Sequence, residues 1–334
     1  MLSILLPVYN GAATLERAVA SVLAQSSEDW ELVLIDDGST DGSGALCDAF
    51  AAKDGRVRAI HLPNGGVSAA RNAGMEHARG EIIGFLDADD ELLPEYARAM
   101  LEAFERNAGL DAARAAYRRI TGEAGPSGAD RAMHVLRHGE ILELAADMQR
   151  NQFFHYVWRS AYRADFLRGH GLRFRPGLAI GEDTNFMLEA FLLARQAIDI
   201  SVALYCYCEN PGGAAKSFAL RENAPAQLAL CHGDRRALLE RFLAGEQLRT
   251  ALRNYAENLR EFFLPLLLWG MRQRLGRIHC REAKVILSGK VARFVYEYAP
   301  PRPSRKAMDG VAYWLAKYRL YGLAYLVCKY LWLR

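Results

Sequence analysis

With 334 residues the chain has room for one large domain or two smaller ones around a full hydrophobic core. At 51% hydrophobic and 24% charged, its composition is that of an ordinary globular protein. A net charge of +3 is too small to argue for nucleic acid, although acids concentrate before about residue 130 and the last third is rich in Arg, Lys and aromatics.

From Met1 the chain enters the apolar run Ser3–Val8 with no basic segment ahead of it, which reads as a first strand rather than a secretion signal. No apolar run reaches bilayer-spanning length, so an intracellular, cytoplasmic protein is expected. Tyr9-Asn10-Gly11 turns the chain, and Thr14 is placed to cap a helix in which Leu15, Ala18, Val19, Val22 and Leu23 keep helical spacing. Trp30–Ile35 is a second strand, ending in Asp36-Asp37-Gly38-Ser39, and a helix with Ala45, Leu46, Ala49 and Phe50 on one face follows. Val57–Leu62 is a third strand, and Pro63-Asn64-Gly65-Gly66 leads into a helix from about Ser68. Glu81–Leu86 is a fourth, stopping abruptly in Asp87-Ala88-Asp89-Asp90. This alternation predicts βαβ units: an α/β fold with a mostly parallel sheet and helices on both faces. Ligands bind such sheets beyond the carboxyl ends of the strands, where the polar residues of this chain collect.

A helix from Pro94 carries Ala97, Met100, Leu101 and Phe104, and Gly122–Ser127 reads as a surface turn or flexible loop. Then come Tyr156–Leu167, Gly171–Gly177, the acidic pair of Gly181-Glu182-Asp183, an apolar helix Phe186–Leu193 and a strand Ile198–Tyr205. From about residue 222 the chain is helical in character. The 6 cysteines, at 47, 206, 208, 231, 280 and 328, form no paired framework and read as structural thiols in a reducing compartment. The 8 histidines show no metal-ligand spacing; His155, near Trp158 and Arg159, has the only neighbourhood of interest, and a packed role is expected for it.

The acids after the fourth strand carry the chemistry. Unpaired carboxylates repel and resist leaving water, but two at Asp-x-Asp spacing can approach one hard cation and leave its other positions to phosphate oxygens. The competing reading is a solvated turn in which Asp89 or Asp90 caps the next helix. Asp36 to Ser39 suits an Asx turn and equally offers a carboxylate to a nucleobase N–H or a ribose hydroxyl. Tyr9 is either a packed strand-end residue or a ring stacked on a base. Arg71, after Gly65-Gly66, is either a diphosphate ligand at a helix start or a surface arginine. Glu182-Asp183 alone is a helix N-terminus whose acids suit the macrodipole. Displacement at a sugar, however, needs a second carboxylate to take a proton from the acceptor.

Taken together, Ile4–Asn10, Asp36–Asp41, Val67–Gly74, Phe85–Asp90 and Gly181–Asp183 closely resemble the family 2 inverting glycosyltransferases of GT-A fold, of the bacterial cell-surface polysaccharide and lipopolysaccharide type. The likeness runs over about residues 3–217. It implies that the backbone near Pro7, with Tyr9 and Asp37, holds the base of a nucleotide-sugar donor, UDP being expected. Arg71 would lie near the diphosphate, Asp87 at ribose or donor sugar, and Asp89 on Mn²⁺ or Mg²⁺. Asp183 would be the catalytic base of an inverting in-line displacement, with Trp158, Arg159 and Glu182 bordering the pocket for a glycan or lipid-linked saccharide acceptor. The resemblance also points to a polar loop after Tyr205-Cys206-Tyr207 that folds over the donor, with Lys216 as a phosphate contact, although a Gly-Gly-Ala-Ala insertion departs from the usual form. The expected organisation is a nucleotide-sugar half over 1–110, an acceptor half over 111–220 and a helical region over 221–334.

Phe262–Trp269 and Val311–Arg334 are apolar and aromatic with interleaved Lys and Arg. They read either as peripheral contact with the inner membrane leaflet or as a tail packed on the catalytic domain or a second subunit. Oligomeric state is left open. A dinucleotide-dependent oxidoreductase would need Gly-x-Gly-x-x-Gly where this chain has Pro7-Val8-Tyr9-Asn10-Gly11. A nucleotidyltransferase would need a glycine-rich basic loop at the same turn. A non-catalytic sugar-nucleotide-binding protein is the alternative reading, and the presence of both Asp89 and Asp183 argues against it.

Overall fold

The computed structural model describes residues 1–120, 133–147, 153–178, 180–208, 221–260, 267 and 289–298. Gly122–Ser127, Lys216, Val311–Arg334, Cys280, Cys328 and all of Phe262–Trp269 except Leu267 lie outside them. The loop-over-donor and membrane readings therefore fall on residues not described.

β1 (Leu2–Val8) and β2 (Trp30–Asp36) are buried along their whole length, save partial exposure at Pro7. Near-continuous apolar runs of this kind belong at the centre of a sheet covered on both faces. They pair in parallel with each other, β2 with β3 (Val57–His61) and β1 with β4 (Ile82–Phe85). The connecting helices α1 (Ala12–Leu23), α2 (Ser43–Lys53) and α3 (Val67–His77) match the predicted alternation. α1 buries Leu15, Ala18, Val19 and Val22 as its spacing requires. Thr14 does not cap it: the helix begins at Ala12 after Gly11, and the Thr14 hydroxyl donates back to the Gly11 carbonyl at 3.3 Å.

Past β4 a short β5 (Glu91–Leu92) precedes α4 (Tyr96–Arg106), so neither Asp89 nor Asp90 caps a helix. β6 (Ala112–Ile120), β7 (Met133–Arg137), α5 (His138–Ala146), β8 (Ser160–Arg163), α6 (Ala164–Gly169), α7 (Glu182–Leu193) and β9 (Gln196–Cys208) complete this part. Strand order is β3-β2-β1-β4-β8-β6-β9-β5, with β7 on β9. β8 joins β4 antiparallel, and β6 runs parallel to β9 over the longest register in the sheet, from Ala112↔Ala197 to Ile120↔Cys208.

The chain divides into two compact units, Met1–Ile141 with Phe154–Pro211, and Leu142–Phe153 with Gly212–Arg334. The first holds the sheet. In the second, α8 (Ala224–Phe242), α9 (Gly245–Asn258) and α10 (Lys290–Tyr298) bury Leu228, His232, Leu239, Leu252, Tyr255 and Phe294. The described cysteines, 47, 206, 208 and 231, are all free thiols. No described helix is long and apolar enough to cross a membrane.

Candidate functional site

The loops after β1 and β2 are stapled to each other. Asn10, left-handed at φ 50°, accepts from the Thr40 N–H at 2.8 Å, and its own N–H donates to Ser39 Oγ at 3.1 Å. Gly11 N–H donates to Ser43 Oγ at 3.0 Å, and Asp41 accepts from Ala12 N–H at 3.1 Å and from the Ser43 hydroxyl at 2.5 Å. This lattice holds the loops open around Tyr9, which is 55% exposed. The packed reading of Tyr9 fails; its ring is free to stack.

Asp37 donates its N–H to the Val8 carbonyl at 2.8 Å, and its carboxylate accepts from the N–H groups of Gly65 and Gly66, each at 2.8 Å. Gly66 has φ 84°, a backbone that only glycine adopts without strain, so the Gly-Gly pair serves this clasp. The strand-two and strand-three loops are thereby joined at one buried carboxylate. Asp36 faces the other way, accepting from Ser39 N–H at 3.0 Å and sitting 2.9 Å from His61 Nδ1, whose Nε2 lies 3.0 Å from Asp48. Burial pushes Asp36 up, but the bonds from Ser39 and His61 outweigh it and hold the carboxyl below its usual range. The bond to Asp36, then that to Asp48, raises His61. His61, not His155, is the histidine that the sheet places among acids.

The three acids after β4 have different fates. Asp90 is buried, accepting from the Tyr205 hydroxyl at 2.7 Å and from Cys208 N–H at 2.8 Å. Burial pushes it up to about 7 against those bonds. The same Tyr205 hydroxyl accepts from Asp87 N–H at 3.2 Å, so β9 fixes both ends of the acidic turn. Asp87 receives Arg71 Nη2 at 2.9 Å, and Nη1 of the same guanidinium reaches Glu182 at 3.2 Å. The Asp89 carboxylate has no bonded partner among the described residues; only its backbone carbonyl accepts, from Arg17 at 2.5 Å.

Arg71 is buried, so the surface-arginine reading fails. Its guanidinium lies 5.3 Å from the Phe174 ring centre, and the Asn72 side chain clasps the Phe174 backbone with two bonds of 2.8 Å. Phe174 stacks on Phe186 at 4.0 Å, which seats α7. Consecutive residues of α3 thus tie the strand-four acids to the helix bearing Glu182 and Asp183. Burial and the adjacent Asp183 charge raise Glu182, with Arg71 opposing them. Asp183 accepts from Thr184 N–H at 2.6 Å on the first turn of α7. The structure therefore brings Arg71, Asp87, Glu182 and Asp183 together and adds Asp89 through the turn.

Trp158 and Arg159 are buried, at 4% and 7% exposure. Trp158 stacks on Tyr205 with centroids 4.0 Å apart, and Arg159 Nε donates to the Ala115 carbonyl at 2.9 Å while the guanidinium faces Tyr117. Both support the site from behind. Sequence reasoning assigned no role to Asn72, Tyr205 or His61; it noted the Tyr-x-Tyr strand at 205–207 only for the loop that follows it. Among the described residues no cluster of three His, Cys, Asp or Glu forms a closed metal cage. One free carboxylate at an open rim instead fits a hard cation that takes its remaining ligands from a diphosphate and water.

Residues 3–168 match the family model "Glycosyl transferase family 2". The chain is 34% identical over 214 residues to the uncharacterized glycosyltransferase EpsJ of Bacillus subtilis, covering 63% of this chain and 62% of that one. It is 33% identical over 197 residues to the uncharacterized glycosyltransferase YibD of Escherichia coli, covering 57% of each. The chain thus spans about three fifths of the length of these relatives. In fold it is similar to Staphylococcus aureus TarS 1–349 in complex with UDP-GlcNAc, at TM-score 0.65 and 16% identity over 99% of this chain and 93% of that one. It is also similar to the mannosyltransferase PcManGT of Pyrobaculum calidifontis in complex with GDP-Man and Mn²⁺, at TM-score 0.55 and 15% identity over 100% and 88%.

Proposed function

The chain belongs to glycosyl transferase family 2, and on that premise we propose that it moves a sugar from a UDP-linked donor to a hydroxyl of a glycan or lipid-linked saccharide, inverting the anomeric centre. The observation that carries this reading is the Arg71 bridge: one buried guanidinium holds Asp87 at the donor rim and Glu182 beside Asp183. The donor half is 1–110 and the acceptor half 111–220.

In this reading the exposed Tyr9 ring stacks on the base, beside Pro7, while the clasped Asp37 accepts from a base N–H. Asp87 orients the ribose or donor sugar. Asp183 removes the proton of the acceptor hydroxyl as that oxygen bonds to the anomeric carbon and the bond to the diphosphate breaks on the opposite face. Asp89 would hold Mn²⁺ or Mg²⁺, whose charge offsets that developing on the departing nucleoside diphosphate. Complexes of fold neighbours with UDP-GlcNAc, and with GDP-Man and Mn²⁺, support a nucleotide-sugar donor.

The test is a screen of UDP-, GDP- and dTDP-sugars for slow hydrolysis by the full chain, which needs no acceptor. A UDP-sugar should be cleaved with Mn²⁺ and spared with chelator. Asp89→Ala should lose the metal dependence of UDP binding. Asp183→Asn should bind UDP normally and lose turnover by about 100-fold or more. Equal UDP affinity with and without Mn²⁺ sinks the metal assignment, and a wild type that binds no nucleotide sinks the whole reading.

A further inference from the structure

We propose that Tyr156 is the acceptor-binding residue of this site, its ring the outer face of an aromatic stack on which a pyranose lies beside Asp183. The inference rests on the glycosyl-transfer reading and gives its acceptor side a named contact. Tyr156 has φ 69° and ψ 89°, left-handed in a bulky aromatic residue. Such a backbone is strained and persists only where its surroundings impose it, which is common at ligand sites. Here the ring is held against Trp158 at 5.1 Å and 19°, and edge-on to Tyr117 at 5.8 Å. Behind it Trp158 stacks on Tyr205 at 4.0 Å and lies 5.9 Å from Tyr207. Tyr205 in turn holds the acidic turn through Asp90 and Asp87.

The stack is therefore anchored to the donor rim and ends in a ring that is only partly buried, whereas Trp158 is closed off. The Arg119 guanidinium lies 5.7 Å from the Tyr207 ring centre, and its charge opposes the burial that raises the Tyr156 phenol. The turn that follows Tyr156, Val157–Arg159, packs against α7, whose first turn bears Asp183, and the Asp183 charge adds to burial and Tyr117 in raising the Tyr156 phenol. A saccharide suits such a surface: its C–H face lies on the ring while phenol and guanidinium bond its hydroxyls.

The experiment uses the full chain and three probes, methyl β-glucopyranoside, methyl β-galactopyranoside and methyl N-acetyl-β-glucosaminide, observed by saturation-transfer NMR, with UDP–Mn²⁺ titrated in parallel. Wild type and Tyr156→Phe should bind at least one pyranoside. Tyr156→Asn and Tyr156→Gly, which tolerate the left-handed backbone, should bind it at least about tenfold more weakly with UDP affinity unchanged. Pyranoside binding as in wild type in either ring-less variant overturns the assignment. So does a wild type that binds UDP but none of the three sugars, and so does joint loss of sugar and UDP in both variants, which would make the ring structural. Sugar binding that both ring-less variants lose, in a chain whose wild type binds no UDP, instead upholds Tyr156 and rejects the donor reading.

Discussion

With only 5% of its side chain exposed, Arg71 lies 2.9 Å from Asp87 and 3.2 Å from Glu182. A lone buried guanidinium would be costly, and so would the two acids without it. Together they are tolerable, and Asp87, Glu182 and Asp183 keep Arg71 charged despite its burial. Removing one member of such a cluster strands the rest. Arg71→Met should therefore lower stability by about 3–5 kcal/mol, while Arg71→Lys, able to meet one acid, should recover part of the loss. Urea titration measures this, and a Met variant with an unchanged midpoint would show that the bridge carries no stability. The sequence marked Arg71 and the acids separately but not their union. Glu182 is 111 positions away in the chain, and tertiary packing, with Phe174 stacked on Phe186, closes the distance. Asn72 was unreadable for the same reason: its partner is a backbone that no residue type reveals.

Among the elements, β4 is the one that sets the height of the acidic turn. Gly84 in its middle faces Tyr96 of α4 so closely that a Cβ there would lie 2.7 Å from the phenol oxygen. That oxygen is buried and has no hydrogen-bond partner among the described residues. Gly84→Ala should thus destabilise by about 1–3 kcal/mol through overpacking. Tyr96→Phe, which removes both the obstacle and an unsatisfied hydroxyl, should cost little alone and rescue the alanine variant. A double-mutant cycle by thermal denaturation decides it; additive effects would mean that Tyr96 is not what Gly84 makes room for. The strands of this half were legible because each is a short apolar run between turn residues. β6 was not. Its sequence Ala-Ala-Arg-Ala-Ala-Tyr-Arg-Arg-Ile has one β-branched residue, and it is a strand because β8 and β9 bond it from either side. Legibility failed wherever the partner strand, not the local chain, supplied the reason.

At the scale of the whole molecule, the two units differ in how they meet acid. In the sheet unit, Asp36 and Glu31 have carboxyls held low by bonds from Ser39 and His61, and from Ser3, Arg79 and Arg58, against the burial that raises them. In the helical unit the sensitive group is a base. His232 is buried between Tyr255 and Phe294, with ring centroids 5.6 and 4.5 Å away, and its Nδ1 has no partner among the described residues. Burial, aided by Arg236 and Arg235, lowers it to about 4 from an ordinary 6.5. As pH falls below 6.5 the unfolded chain takes up a proton that the folded chain refuses until about 4, so stability drops across that window and levels off beneath it. The full drop is on the order of 3 kcal/mol, from about 1.4 kcal/mol per pKa unit. His232→Phe fills the aromatic pocket and removes the titrating group, so its melting temperature should fall less than that of the wild type between pH 7 and 4.5. Carboxylates elsewhere titrate alike in both proteins and cancel in the comparison. Parallel pH curves for the two would mean that His232 finds a proton-accepting partner or water in the folded state, and that the acid sensitivity of the chain resides in the sheet.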